Sequence, residues 1–246
     1  MDPRARHGGG LVRRPARGVG PGVIDRRSPN APRWRQERGE PLLVTCFEPF
    51  GGRQSNTSLR VLAPLLDRSP PGLSTRVLPV DFQALRRLVP RILRTRMPSA
   101  WLMLGEYGEG PELRCERVAV NLVDATTPDN RGVVLRGAKA VRGGPLAYFT
   151  TLDPNLMRAH FEARGLPAVL SDSAGTYACN LALYLALHHA QSLRVGTRVG
   201  FVHIPRHYRQ TGRTLRELRA IVLELLETLQ LLHLPGNAAP GAELEA

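Results

Sequence analysis

The chain has 246 residues, a length that suffices for one domain with an ample buried core. Its apolar residues form no run long enough to predict a transmembrane helix, so we expect no membrane partner. The three cysteines, Cys46, Cys115 and Cys179, are too few and too scattered to predict a disulfide framework or a zinc site. This cysteine usage is typical of a reducing compartment and predicts a cytoplasmic location.

The formal net charge of +13 is typical of proteins that bind nucleic acid. Two details argue against that function. Lys139 is the only lysine, which indicates a general bias toward arginine, and residues 1–40 alone carry ten arginines against four acidic residues. Few aromatic side chains accompany these arginines for stacking on bases. Nucleic-acid binding centred on residues 1–40 is therefore the least favoured hypothesis.

Residues 1–40 are rich in Gly, Pro and Arg and show no hydrophobic periodicity. Such a composition buries too little apolar surface to offset the entropy of ordering, so we predict a disordered basic extension. The segment also lacks the compact apolar stretch of a secretory signal. Two origins stay open for it, a genuine basic arm or translation from an upstream start codon.

From residue 41 onward, short apolar runs alternate with amphipathic segments. The sequence predicts extended segments at residues 42–45, 76–80, 100–104, 113–124, 168–170 and 195–204. It predicts helices at residues 59–67, 82–95, 154–164, 180–190 and 214–232. This alternation predicts a single α/β domain over residues 41–234, with three α/β/α layers around a central, largely parallel mixed sheet. Residues 235–246 are rich in Pro, Gly and Ala and are predicted to fray.

The stretch from Ala168 to Asn180 predicts a strand, a tight turn and a helix, with Cys179 in the first turn of that helix. Backbone N–H groups and the helix dipole favour an anion at this position, and hence a thiolate. Most free cysteines are instead small buried core residues. This stretch alone does not decide between the two interpretations.

Other polar and aromatic residues follow predicted strands. Phe47 and Phe50 lie in the turn after the first strand, where open α/β sheets bind ligands, although both fit an ordinary core equally well. Residues 105–110 form a glycine-rich loop, but its acidic side chains and lack of lysine argue against phosphate binding. Glu116 on a strand is typical of a solvated residue, and His203 beside apolar residues is typical of a structural histidine.

Three residues nevertheless have complementary chemistry. Cys179 follows one predicted strand, His203 ends the next and Glu116 lies on an earlier one, and groups at the carboxyl ends of neighbouring parallel strands meet at one sheet edge. An imidazole takes the proton of a thiol and later protonates a leaving amine, while a carboxylate fixes the imidazole tautomer. Together they predict a cysteine hydrolase.

Several motifs occur in one order and resemble a known family, pyroglutamyl peptidase I (pyrrolidone-carboxylate peptidase, the C15 cysteine peptidases). The matching segments are LVTCFEPFGG at 43–52, ERVAVN at 116–121, PDN at 128–130, GGPLAYFTTL at 143–152, SDSAGTYACN at 171–180 and GFVHIP at 200–205. They cover the chain from about residue 41 to the last helix. The family begins at the first of these strands, so residues 1–40 are an extension.

The resemblance implies a cysteine omega-peptidase that removes an N-terminal pyroglutamyl (5-oxoproline) residue from peptides through an acyl-enzyme. Cys179 matches the nucleophile, His203 the general base and acid, and Glu116 the carboxylate that orients His203. The remaining matches are positions around the pyroglutamyl ring, namely Phe47, Phe50, Glu106, Thr127, Tyr177 and Ala178. The resemblance implies no metal and no organic cofactor, and a homotetrameric assembly.

The chain departs from the family at four positions. Thr126 stands where bacterial members typically carry Arg, Gly110 replaces another Arg, Glu106 replaces a neutral amide, and Cys46 replaces a Gly. The first three changes remove positive charge or add negative charge near the expected pocket. They motivate an alternative, a catalytically weakened family member that binds pyroglutamyl or related peptides.

Overall fold

The computed structural model describes residues 42–108 and 110–233. The predicted disorder of residues 1–40 and the predicted fraying of residues 235–246 lie outside the described residues. The strands are β1 (Leu42–Phe47), β2 (Leu73–Leu78), β3 (Ala100–Tyr107), β4 (Leu113–Glu116), β5 (Val118–Val120), β6 (Ala147–Phe149), β7 (Ala168–Ser171) and β8 (Arg198–Pro205). The helices are α1 (Thr57–Leu66), α2 (Phe82–Thr95), α3 (Pro154–Glu162), α4 (Ala178–Ser192) and α5 (Leu215–His233).

Six strands form the central sheet in the order β2-β1-β3-β8-β4-β7. The first four of these are parallel, β4 runs antiparallel to β8, and β7 runs parallel to β4. Strands β5 and β6 pair antiparallel in a separate small sheet. The predicted α/β class with a mixed, largely parallel sheet is confirmed.

Helices cover both faces of the sheet and bury two apolar cores. Helices α2 and α4 pack on the face that carries Phe47, Trp101 and Phe201. Helices α1, α3 and α5 pack on the opposite face, against side chains such as Val44 and Val202. The predicted three layers follow from this arrangement, because neighbouring residues on one strand contribute to opposite cores. No helix among the described residues is long and apolar enough to cross a membrane.

Two predicted segments differ from the structure. Strand β3 continues to Tyr107, so the first half of the predicted glycine-rich loop is paired with β8 instead. The predicted extended segment 113–124 breaks at Arg117 into β4 and β5, which belong to different sheets. Periodicity within the segment did not reveal the break, because both halves alternate with the same period of two.

The direction of β4 also corrects the predicted geometry of the sheet edge. The strand that carries Glu116 runs antiparallel to β8, with Glu116 opposite Phe201 and Arg114 opposite His203. Residues opposite each other, and residues two apart on one strand, share a sheet face. Glu116 therefore reaches His203 diagonally from the sheet interior, on the face covered by α4.

Candidate active site

A cavity of about 380 Å³ opens where β3 and β8 end, beside the start of α4. It brings together residues from the loop after β1, strands β3, β4 and β8, and the segment that precedes and begins α4. The lining residues are Phe50, Glu106, Tyr107, Gly108, Arg114, Glu116, Ser173, Ala174, Gly175, Tyr177, Cys179 and His203. All three residues of the predicted Glu–Cys–His group line this one cavity.

His203 and Glu116 form a buried hydrogen-bonded pair. Nδ1 of His203 lies 2.7 Å from Oε1 of Glu116, and the two residues are 5% and 0% exposed. The imidazole ring packs against Phe201, at 4.5 Å between ring centroids, and edge-on against Tyr107 at 6.1 Å. This packing holds the ring with Nδ1 toward the carboxylate, which leaves Nε2 for Cys179.

The pKa of His203 reflects a competition between burial and its two partners. Burial by itself lowers this pKa, but the neighbouring Cys179 and the hydrogen-bonded carboxylate of Glu116 outweigh it and raise the pKa to about 9. A raised pKa means that the site favours an imidazolium ion. An imidazolium beside a thiol supports a thiolate, the reactive form of cysteine.

Cys179 occupies the second position of α4, whose N-cap residue Tyr177 makes no side-chain capping hydrogen bond. The side chain of Asn180 fixes the helix start by three hydrogen bonds of 2.9 Å to the backbone of Val120 and Leu122. The sequence prediction of Cys179 in the first helical turn is confirmed. The first-turn N–H groups of a helix lack intrahelical partners and favour an anion.

An apolar wall stands on the side of the cavity toward the loop after β1. Phe50 and Tyr177 pack at 5.6 Å between ring centroids, and Tyr177 also meets Phe82 edge-on at 5.4 Å. The hydroxyl of Tyr177 donates to the carbonyl oxygen of Pro128 at 2.8 Å. Burial raises the pKa of this phenol to about 12, so the hydroxyl remains a donor.

The Pro-Asp-Asn motif at residues 128–130 supports this wall from behind. The carboxylate of Asp129 accepts from the N–H groups of Phe82, Arg131 and Val133 at 2.9 Å. Nδ2 of Asn130 donates to Oε1 of Glu48, at 2.7 Å, in the loop after β1. The motif thus joins the loop that carries Phe50 to the start of α2.

Glu106 lines the cavity, but both of its carboxylate oxygens are engaged elsewhere. Oε1 accepts from the guanidinium groups of Arg53 and Arg206, and Oε2 accepts from the N–H of Thr57, at 2.6 Å, at the start of α1. Burial would raise the pKa of Glu106, but hydrogen bonds from Thr57 and Arg53 and the charge of Arg53 outweigh burial and lower it. The negative charge expected at this position is therefore present and paired with two cations.

Three predicted pocket residues lie outside the lining of this cavity. Phe47 is buried and packs on Phe201 at 6.1 Å between centroids, Ala178 is buried against the core, and Thr127 is exposed. Phe47 supports the site indirectly, because it packs on Phe201, which in turn packs on His203. Direct contact of these three residues with a ligand stays a prediction.

The other departures from the family also have a visible setting. Thr126 is exposed on the loop before Pro128. Gly110 has a φ of 69°, and a Cβ there would lie 2.5 Å from Oε2 of Glu112. A backbone position with φ near this value favours glycine, so an Arg at residue 110 would be strained. Cys46 is buried in the core behind α1.

Several cations of the site were not predicted from the sequence. Arg114 lines the cavity, and Arg53 lies over the ring of Phe50, with Cζ 4.3 Å from its centroid. Arg206 reaches Gly108, where a Cβ would lie 3.3 Å from its Nη2. Arg114 had a signal in the sequence, since it stands two residues before Glu116 and must share its face if both lie on one strand. Among the described residues, no group of three or more His, Cys, Asp or Glu side chains is placed to hold a metal ion.

The fold and the Glu116–His203–Cys179 group define a cysteine-type hydrolase of the α/β class. A family model for pyroglutamyl peptidase matches residues 40–217. The chain is 39% identical to a pyrrolidone-carboxylate peptidase of Thermococcus onnurineus, over 67% of this chain and 82% of the relative. It is 41% identical to one of Clavibacter michiganensis, over 67% and 78%.

Solved structures agree with these relatives. A mutant pyrrolidone carboxyl peptidase of Pyrococcus furiosus superposes with a TM-score of 0.70 at 31% identity, over 79% of this chain and 99% of that one. The enzyme of Fervidobacterium islandicum gives 0.70 at 31% identity, over 77% and 98%. The chain therefore belongs to the pyroglutamyl peptidase family, and the resemblance seen in its motifs is confirmed.

Proposed function

We propose that the protein hydrolyses the bond after an N-terminal pyroglutamyl residue, with Cys179 as nucleophile. The observation that carries this proposal is the position of His203, which is hydrogen-bonded to Glu116 and lines one cavity of a family fold together with Cys179. The family, not the cavity, supplies the identity of the substrate. The geometry supplies the roles of the side chains.

The reaction proceeds through two proton transfers by His203. The Cys179 thiolate bonds to the carbonyl carbon that follows the pyroglutamyl ring, and the imidazolium gives its proton to the nitrogen of the leaving amine as the C–N bond breaks. Water then attacks the thioester while His203 takes a proton from it. The thiolate leaves, pyroglutamate is released and His203 is again an imidazolium.

Backbone N–H groups at the start of α4 stabilise the oxyanion formed in both steps. Because Tyr177 provides no side-chain cap, these donors are not taken by the N-cap residue. Donors of this kind contribute roughly 2.7–4 kcal/mol each to transition-state stabilisation in comparable enzyme sites. The clamp between Asn180 and β5 keeps them in place.

The pyroglutamyl ring binds against the apolar wall formed by Phe50 and Tyr177. The ring is a flat, neutral lactam, and flat aromatic faces suit it. Arg53 lies over Phe50 and bonds Glu106, so Glu106 acts on the ring site by fixing Arg53. Arg53, Arg114 and Arg206 supply cations around the cavity although residues 110 and 126 are not Arg, which argues against the alternative of a catalytically weakened family member that binds related peptides.

We also infer a cytoplasmic homotetramer. The cytoplasmic location rests on three free cysteines, two of them buried. The tetramer rests on the family resemblance and on two exposed apolar side chains, Leu146 and Phe149, which are 81% and 76% exposed. Light scattering of the purified chain measures its mass, and a monomer at micromolar concentration contradicts the tetramer.

The proposed activity is tested by amine release from a fluorogenic pyroglutamyl amide under reducing conditions. We expect turnover by the wild type and by the control Cys46→Ala, which removes a buried thiol distant from the cavity, and no turnover by Cys179→Ala. Circular dichroism establishes that each variant is folded. An inactive wild type, or full activity of Cys179→Ala, contradicts the proposal.

A further inference from the structure

Arg114 is a cation on the cavity wall that the proposed mechanism does not use. It lies on β4, opposite His203 on the antiparallel ladder and two residues before Glu116, so its side chain leaves the sheet on the face of the active site. Glu116 bonds His203 through Oε1 at 2.7 Å, and its Oε2 has no hydrogen-bond partner among the described residues, so Arg114 does not bond this carboxylate.

An aromatic platform holds the guanidinium of Arg114. Its Cζ lies 4.4 Å from the centroid of the Tyr107 ring. Tyr107 is itself fixed, since its hydroxyl donates to the carbonyl oxygen of Glu112 and its ring packs edge-on against His203. Stacking uses the flat face of a guanidinium and leaves N–H donors at its edge, where they can bind a carboxylate in two-pronged geometry.

Arg114 has no carboxylate partner among the described residues around the cavity. Glu106 is paired with Arg53 and Arg206, and Glu116 is paired with His203. No ion pair joins Arg114 to a carboxylate within residues 42–108 and 110–233. The cavity therefore carries an excess positive charge at this point, although the pyroglutamyl ring is neutral.

The order of the strands places Arg114 on the side of the leaving group. Phe50 follows β1, His203 lies on β8, and Arg114 lies on β4, with β8 between β3 and β4 in the sheet. Three inter-strand steps of about 4.8 Å separate β1 from β4, roughly 14 Å. Arg114 stands opposite His203, on the side of β8 away from β1, so a peptide whose ring lies at Phe50 can extend past His203 toward Arg114.

We propose that Arg114 is a specificity residue that binds a carboxylate on the leaving part of the substrate. This inference rests on the proposed peptidase function. The carboxylate belongs either to an acidic side chain after the pyroglutamyl residue or to the C-terminus of a pyroglutamyl dipeptide. Both sources present the same chemistry to the guanidinium, and matched substrates separate them.

The test compares kcat/KM for two substrate pairs, with pyroglutamate release as the measurement. The first pair is pyroglutamyl-Asp-amide and pyroglutamyl-Asn-amide, in which only the side chain carries the charge. The second is pyroglutamyl-Ala and pyroglutamyl-Ala-amide, in which only the terminus carries it. We expect kcat/KM to be about tenfold higher for the charged member of at least one pair, the effect of one charge-assisted contact.

Three variants assign the preference to the residue. Arg114→Gln should bring the kcat/KM ratio of charged to neutral substrate to about one. Arg114→Lys should keep part of the preference, and Arg68→Gln should leave it unchanged. Arg68 is an exposed arginine between α1 and β2, so its substitution removes the same charge outside the lining of the cavity. Higher salt should also lower the wild-type ratio, and this measurement decides the matter if Arg114→Gln fails to fold.

Other results overturn the inference. These are wild-type ratios near one in both pairs, a ratio that survives Arg114→Gln, or an equal loss on all four substrates in that variant. The last result would mean that Arg114 acts on the reacting groups and not on the substrate carboxylate. Absence of release from all four substrates by the wild type contradicts the proposed function itself.

Discussion

Gly105 on β3 and His203 on β8 lie so close that a Cβ at residue 105 would be 2.8 Å from Cδ2 of His203. The same Cβ would be 2.6 Å from Cζ of Phe201. Both contacts are shorter than real Cβ atoms show, so the two rings occupy the space that a side chain at residue 105 would need. The position of the imidazole therefore depends on a glycine in the neighbouring strand.

Gly105→Ala should displace His203 and reduce kcat by about a hundredfold, because small misplacements of a reacting group cost that much. The control is Gly200→Ala on β8, whose Cβ would lie 2.9 Å from Cβ of Leu152, on the sheet face opposite the imidazole. We expect both variants to melt at a lower temperature, and only Gly105→Ala to lose activity per folded molecule. Equal kcat values for the two variants would contradict this role of Gly105.

Glu116→Gln should move the alkaline limit of activity to lower pH. His203 must be protonated to release the amine, and its pKa of about 9 depends in part on Glu116. Without the carboxylate charge this pKa falls, so kcat should decline at a lower pH than in the wild type, with a loss of about a hundredfold or more at the optimum. A pH profile with an unchanged alkaline limit would show that Glu116 does not support the imidazolium.

The same pair links stability to pH. The pKa of His203 is higher in the folded protein, about 9, than the ordinary value of 6.5. Its stabilising contribution is therefore complete below pH 6.5 and is lost as the pH rises through 9. The difference in unfolding free energy between the wild type and His203→Gln should shrink over this range, as measured by urea titration. A difference that grows with pH would contradict the assignment.

Glu106→Gln should destabilise the fold by about 1–3 kcal/mol, because an amide group would face the two guanidinium groups that the carboxylate now binds. The pKa of Glu106 is lowered from 4.5, so its contribution is present above that pH and lost as the pH falls below it. The variant and the wild type should therefore converge in stability in acid. The control is Glu162→Gln, in an exposed ion pair with Arg158, which should cost little. Equal costs for the two variants would contradict the buried network.

Alkylation should distinguish the three cysteines. Burial raises the pKa of both Cys46 and Cys115 to about 12, whereas Cys179 lines the open cavity. Iodoacetamide near neutral pH should therefore modify Cys179 alone in the native protein and all three after unfolding. Peptide mapping by mass spectrometry measures this pattern. Native modification of Cys115 before Cys179 would contradict it.

Local pattern was enough to predict much of the fold. Short apolar runs identified most strands of the central sheet, and the run before Cys179 correctly predicted a strand, a turn and a helix start. Strand direction was not predictable, because a period of two is the same for parallel and antiparallel strands. That is why the antiparallel course of β4, and with it the diagonal reach of Glu116, appeared only in the structure.

The chemistry of the site was predictable only where residue type carried it. A cysteine, a histidine and a carboxylate in family motifs suggested their own grouping. The pairing of Glu106 with Arg53 and Arg206 was not predictable, because residue 206 is far from the others in sequence and meets them only when β8 lies beside β3. Arg114 likewise acquires its setting from Tyr107 on a different strand.

The most direct test of the central claim is to trap the acyl-enzyme. The reduced protein is mixed with a pyroglutamyl amide, quenched in acid during turnover, digested and mapped by mass spectrometry. We predict a pyroglutamyl thioester on Cys179 and on neither Cys46 nor Cys115, and its absence from Cys179→Ala. Amide hydrolysis by the wild type without any thioester on Cys179 would contradict the account.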